Sequence, residues 1–293
     1  MSRTYKAIGI NLKAMPLGEA DRIVTILTKE FGLLRAVAMG ARKQNSKLGG
    51  RSGLFVVNEL LMAKGRSLDK ITQAETLESY PGLGRNLKKL TAGQYLAELT
   101  LQQALSEQPQ EELFYLLNEH LARIEQCTDD EVLPRLIHAV FQLLVVAGVA
   151  PQVHQCSVTG ATIEPDLSSS EPQAGFSSAI GGVVKLEELD RLIQEQSPQY
   201  RVQSPVGEYR VAGSSVSTSP RKFHAALSVP LYPPELAALQ HLPQAEPPAP
   251  DQHSTAVWLT LEKLLRQYAQ YHFDQPIRSA ALIESCFATD SMP

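Results

Sequence analysis

The first 80 residues carry short apolar runs separated by turn residues. Tyr5–Met15 is the first run and closes on Pro16-Leu17-Gly18. Ala20–Thr28 alternates, with Ile23, Thr25 and Leu27 on one face and Val24 and Ile26 on the other. Phe31-Gly32 marks a tight turn before a third strand at Leu33–Met39. Gly40–Gly53 holds four glycines and no apolar run, and reads as a loop. Leu54–Ala63 is a fourth strand, nearly continuous in apolar residues. Lys64-Gly65-Arg66-Ser67 turns the chain into a fifth at Leu68–Leu77. Five short strands in this span predict a small β-barrel. The OB-fold is the commonest five-stranded barrel, and an SH3-like barrel is the alternative the pattern leaves open.

From Pro81 the period changes to that of helices. Leu83, Leu87, Leu90, Tyr95, Leu96, Leu99 and Leu101 predict a helix over about 85–107. Glu111–Gln126 predicts a second, and Val132–Gly148 a third, with Asp129-Asp130-Glu131 at its positive end. Three such helices make a bundle. Residues 152–182 look irregular, and Leu186–Glu195 reads as a short helix. Gln196–Ser228 is polar and reads as a loop or insert. Pro233–Leu242 is a short helix, Pro243–Pro250 a linker and Ser254–Phe273 an amphipathic helix. On the last of these Val257, Trp258, Leu261, Leu264, Leu265 and Tyr268 share one face. Ser279–Phe287 closes the chain. The fold class is therefore α+β: a barrel domain over 1–80, then a helical domain over 81–293. The second domain contains an irregular segment at 152–185 and a polar insert at about 196–252.

Composition refines this picture. At 43% hydrophobic and 20% charged residues the chain is globular. The longest apolar stretch, Ile137–Ala150, contains His138 and Gln142 and falls short of the roughly 20 residues of a membrane span. It reads as a buried helix, and no membrane partner is expected. Cys127, Cys156 and Cys286 are odd in number and far apart, which suits a reducing cytoplasm. The net charge of −4 hides a split. Residues 1–90 hold 16 Lys+Arg and 7 Asp+Glu, a net of +9, and the remainder is −13. A basic module for a polyanion and an acidic module for proteins fit that asymmetry.

Motifs of catalysis are missing. There is no Gly-x4-Gly-Lys-Ser/Thr loop, no Gly-x-Ser-x-Gly elbow and no His-Glu-x-x-His helix. His120 and His138 read as structural or surface residues. The acids of the barrel, among them Glu19, Asp21, Glu30, Glu59 and Asp69, lack the clustering a nuclease metal site requires. Binding is better supported than catalysis. Arg35–Arg51 carries Arg35, Arg42, Lys43, Lys47 and Arg51 with no acid, and Lys64, Arg66 and Lys70 follow. Such a run attracts nucleic-acid phosphates through counterion release. A solvated charged face is the alternative. Of the aromatics, Tyr5, Phe31 and Phe55, the last two are expected in the core, so backbone contact is favoured over base stacking.

Cys156-Ser157-Val158-Thr159-Gly160 has the shape of a Cys-x-x-Cys-Gly knuckle with Thr at the second cysteine position. With His154 the only other nearby donor, a four-ligand zinc site is not expected.

Several segments together resemble the RecO family of DNA repair proteins. They are Tyr5–Ile10, Pro16–Val24, Gly40-Ala41-Arg42-Lys43, Glu59-Leu60-Leu61, Gln73-Ala74-Glu75-Thr76, Tyr95-Leu96-Ala97-Glu98-Leu99 and Arg278-Ser279. The resemblance covers about 1–150 and 253–287 and is most specific in Leu17-Gly18-Glu19-Ala20-Asp21-Arg22. It implies an OB-fold, a helical domain and a mediator of recombinational repair. Such a mediator binds single- and double-stranded DNA, anneals strands and, with RecR, helps RecA replace the single-strand-binding protein. With no nucleotide motif readable, ATP is not expected to be consumed, and the expected location is cytoplasmic and nucleoid-associated. Members often carry a four-cysteine zinc site, of which only Cys156 is retained here. The DNA-contact set is then Arg22, Arg35, Arg42, Lys43, Lys47, Arg51, Lys64, Arg66 and Lys70. Glu19 and Asp21 are assigned to the turn, and Arg22 is open to either role. The acidic, apolar-ended tail of the single-strand-binding protein would meet Arg123 or Arg135, for which salt bridges are the alternative. A protein-interaction module without DNA annealing is the competing function.

Overall fold

The computed structural model describes residues 4–196, 227–247, 249 and 252–287. The N-terminal strands are β1 (Thr4–Leu17), β2 (Asp21–Thr28), β3 (Gly32–Ala38), β4 (Val56–Ala63) and β5 (Asp69–Ser79). They close a barrel in the order β1-β2-β3-β5-β4. β1 is 14 residues long and pairs with two neighbours, β4 along Thr4–Ile10 and β2 along Gly9–Leu17. Its register shift between Asn11 and Lys13 lets one strand bend across both. The seam is the parallel pairing of β3 with β5, from Ala36↔Asp69 to Ala38↔Ile71. Alternation then sorts the side chains. Val24, Ile26, Ala36, Leu60, Met62 and Ile71 fill the interior, while Arg35 and Lys70 point outward.

Two sequence expectations for the barrel change. The Gly40–Gly53 loop contains a one-turn helix, α1 (Lys47–Arg51), whose N-cap Ser46 side chain accepts from the Leu48 amide. The fourth strand begins at Val56, not Leu54. Phe55 sits at φ +58 and is 3% exposed, with its ring against Gly93.

A 3-10 turn (Pro81–Arg85) leads into α2 (Leu87–Gln103), α3 (Glu111–Gln126) and α4 (Val132–Val146). Helix α2 is shorter than the 85–107 expected. Asn86 caps it by accepting from the Lys89 amide. Leu96, Leu99, Leu117, Leu121, Leu136 and Leu144 are buried between these helices. Each such side chain contributes about 1.5–3 kcal/mol on burial. Helix α7 (Thr255–Phe273) packs on α4 and α2 with Trp258, Leu261, Leu264, Leu265 and Tyr268 buried, the face expected from the pattern. A 3-10 turn at Ser279–Leu282 and α8 (Ile283–Phe287) follow. None of the helices among the described residues is long and apolar enough to cross a membrane.

Contacts divide the chain differently from a boundary at 80. Residues 1–150 and 241–293 form one compact unit and residues 151–240 another. The second unit has more regular structure than expected. The irregular span 152–182 contains β6 (Ala174–Ser177) and the first residue of β7 (Gly182–Lys185), followed by α5 (Leu186–Gln196). Leu227–Leu231 forms β8, which pairs with β6, although its first residues fall in the expected polar insert. Helix α6 (Pro233–His241) buries Leu236, Ala238 and Leu239. Most of the expected Gln196–Ser228 loop lies outside the described residues.

Candidate nucleic-acid interface

The run Leu17-Gly18-Glu19-Ala20-Asp21-Arg22 holds the cation-rich β3–β4 connection in place. The Asp21 carboxylate accepts the Gly40 amide at 2.7 Å. The Arg42 guanidinium donates to the Gly18 carbonyl at 2.8 Å, and the Arg42 amide to the Ala20 carbonyl at 2.8 Å. Arg22 reaches up from β2 and donates to the Gly49 carbonyl and the Ser52 hydroxyl, both at 3.1 Å. Its guanidinium thus anchors α1. Deeper still, buried Asn11 and Asn58 both donate to the Arg51 carbonyl, at 2.8 and 2.9 Å. A one-turn helix with two glycines has little stability of its own, so these donors hold it. Arg22→Lys keeps the charge and removes the Nη1 group that makes both bonds. A stability loss of about 1 kcal/mol, measured by thermal melting, is expected; unchanged melting would release Arg22 for DNA contact.

The exposed cations fall into two groups. Arg42, Lys43 and Lys47 project from the β3–β4 connection beside half-buried Arg51. Lys47 and Arg51 line a cavity with Lys6, Glu59 and Glu75. The two acids face each other across β4 and β5, and Lys6 pairs with Glu59 at 2.9 Å. The acid-free segment of the sequence therefore meets acids from distant strands. Lys64, Arg66 and Lys70 line a second cavity at the β4–β5 turn with Val37 of β3. Val37 is the register partner of Lys70, and Arg35, two residues back along β3, shares its outward face. Arg35, Arg66 and Lys70 form no ion pair among the described residues, and Lys64 has only a 3.8 Å approach to Asp69. No acid lines this second cavity, whereas Glu59 and Glu75 line the first.

Phe31 departs from the core position expected of it. It is 36% exposed and meets Tyr5 edge-on, ring centres 5.0 Å apart. The Tyr5 hydroxyl donates to Asp69, whose other oxygen accepts the Gly65 amide at 2.9 Å. Burial, then Asp69, pushes the Tyr5 hydroxyl well above its ordinary pKa.

Arg123 and Arg135 both form salt bridges within their own helices. Arg123 meets Glu119 at 2.7 Å and Arg135 meets Glu131 at 2.8 Å. The Thr128 amide, followed by Arg135, holds the Glu131 carboxyl down at about 2. His120 and His138 are buried and stack edge-on at 5.6 Å. Burial pushes His120 down to about 3, so it is neutral at physiological pH, and burial lowers His138 as well.

At the knuckle, Cys156 is 1% exposed. Burial alone would raise its thiol pKa, but hydrogen bonds from Thr159 and the Lys185 amide outweigh burial and hold it below its ordinary value. The Lys185 amide lies 3.4 Å from the sulfur. Thr159 offers no ligand of the soft kind zinc prefers, and Gly181-Gly182 offers no side-chain donor. Among the described residues no group of three or more His, Cys, Asp or Glu is placed to hold a metal. The donor set does not fit a four-ligand zinc site.

A closed five-stranded barrel carrying a cationic flank, followed by a helical region, is the architecture these residues build. Residues 1–80 match the family model described as recombination protein O N terminal, and residues 84–281 match recombination protein O C terminal. The chain belongs to the RecO family of DNA repair and recombination proteins. It is 54% identical to the DNA repair protein RecO of Nostoc punctiforme, over 99% of this chain and 98% of that protein. It is 51% identical to the DNA repair protein RecO of Acaryochloris marina, over 98% of this chain and 96% of that protein.

Proposed function

We propose that this RecO-family chain binds single- and double-stranded DNA on its barrel, anneals complementary strands, and helps RecA load on DNA coated by the single-strand-binding protein. The observation that carries this reading is the outward group Arg35, Lys64, Arg66 and Lys70, which bridges the β3–β5 seam and the β4–β5 turn with little neutralisation. Arg42, Lys43, Lys47 and Arg51 extend it across the β3–β4 connection. Cations on both strands' phosphates lessen the repulsion that slows annealing. The chain acts as a mediator, with no catalysed reaction and no bound zinc, in the cytoplasm at the nucleoid. RecR and the tail of the single-strand-binding protein are its protein partners. Arg123 and Arg135 serve the tail only if it displaces Glu119 or Glu131, since both guanidinium groups are engaged.

Binding to a single-stranded oligonucleotide, measured against salt, tests the phosphate contacts. Four contacts give a log–log slope of about −3, and charge reversal at Arg66 and Lys70 should lower that slope and weaken binding. A flat salt dependence refutes the reading. Annealing assayed with and without single-strand-binding protein separates a mediator from a passive binder.

A further inference from the structure

We propose that the cavity between Tyr5, Phe31 and Leu34 takes one unpaired nucleobase, stacked on Phe31, with Lys64 and its neighbours holding the flanking phosphates. This rests on the DNA-binding reading above and adds to it a preference for single strands.

The cavity has a volume of about 360 Å³ and is walled by Tyr5, Phe31, Leu34, Lys64 and Glu107. Three of these five side chains are apolar or aromatic. Phe31 is an exposed aromatic, and its ring is oriented by the edge contact with Tyr5. Tyr5 is itself half-buried against the barrel core and tied at its hydroxyl to Asp69.

The turn that carries Phe31 is fixed on every side. The Phe31 amide donates to Thr28 Oγ1 at 3.2 Å. The Leu33 amide donates to the Leu105 carbonyl at 2.8 Å, and the Gln110 amide to the Lys29 carbonyl at 2.9 Å. An aromatic held exposed by a rigid turn loses little entropy when a planar group stacks on it.

Asp69 couples this cavity to the cations. One oxygen accepts from Tyr5, the other from the Gly65 amide, so the same buried carboxylate sets the ring and the Lys64–Ser67 turn. Lys64, Arg66 and Lys70 lie along that turn and the strand after it. Aromatic face and phosphate-binding cations thus stand side by side, the combination used for single-strand binding. Glu107 keeps phosphates to the Lys64 side. A base inside a duplex has both faces taken by its stacked neighbours, so stacking on Phe31 favours single strands.

The test compares wild-type protein, Phe31→Ala and Phe31→Trp. The probes are a single-stranded oligonucleotide, a duplex of equal length, and a single strand carrying one 2-aminopurine. Phe31→Ala should lower single-strand affinity about 5- to 100-fold, leave duplex affinity and the salt slope unchanged, and abolish 2-aminopurine quenching. Phe31→Trp should restore both affinity and quenching. Equal loss on both DNAs, or no loss, overturns the proposal while leaving the phosphate contacts standing. Absence of DNA binding by the wild-type protein overturns both readings. A melting temperature equal to the wild type's confirms that Phe31→Ala is folded.

Discussion

Gly32→Ala is expected to destabilise the protein by about 3 kcal/mol or more. Two costs combine at this position. The backbone stands at φ +63, where a side chain is strained. A Cβ would also lie 2.1 Å from the Leu105 carbonyl oxygen and 2.5 Å from that of Gln108. Both obstacles are backbone, so no rotamer change relieves them. The turn would lift off the connection between α2 and α3, breaking the Leu33 amide bond to Leu105. Thermal melting should show a fall of roughly 6–10 °C. Unchanged melting would mean that the turn moves away without cost.

Glu262→Gln should stabilise the protein at pH 8 by about 2–3 kcal/mol and leave it nearly unchanged at pH 4. Glu262 lies on α7 and is 2% exposed. Burial raises its carboxyl to about 7, even though Arg266, at 3.5 Å, pulls it the other way. Tyr95 is packed at the same place, its hydroxyl pushed well up by burial and by the charge of Glu262. A folded-state value above the ordinary 4.5 means that the folded protein holds a proton the unfolded chain releases. That contribution is complete below about 4.5 and is lost as pH rises through 7. Glutamine cannot ionise and escapes the loss. Denaturant melts of both proteins at pH 4, 6 and 8 check it. A difference independent of pH would show that Glu262 ionises freely in the folded protein.

The barrel strands were legible because alternation and turn chemistry are local signals. Gly18, Gly32 and Lys64-Gly65 mark their ends directly. Helix α1 was not legible, since Gly49 and Gly50 weaken helix propensity and the turn is braced by Arg22, Asn11 and Asn58 from other strands. Strands β6 and β8 escaped for a related reason. They are four and five residues long, and Ala174 pairs with Leu231 across most of the second unit.

The cationic character of the candidate site was legible as residue type, its partners were not. Glu59 and Glu75 come beside Lys47 and Arg51 through the β4–β5 register, and Arg35 comes beside Lys70 through a parallel pairing that periodicity cannot announce. Phe31 was assigned to the interior as aromatics usually are. Its exposure follows from a turn whose inner side is already filled by the backbone of Leu105 and Gln108.

The seam between β3 and β5 spans only Ala36–Ala38 and Asp69–Ile71, whereas the other ladders run for seven or more residue pairs. The barrel is therefore a hooped sheet with one short clasp. Opening costs least where the fewest hydrogen bonds must break, and in this hoop that place is the clasp. Arg35 stands on one side of it and Lys70 on the other. A polyanion laid across both would act as a strap, tightening the barrel at its weakest join.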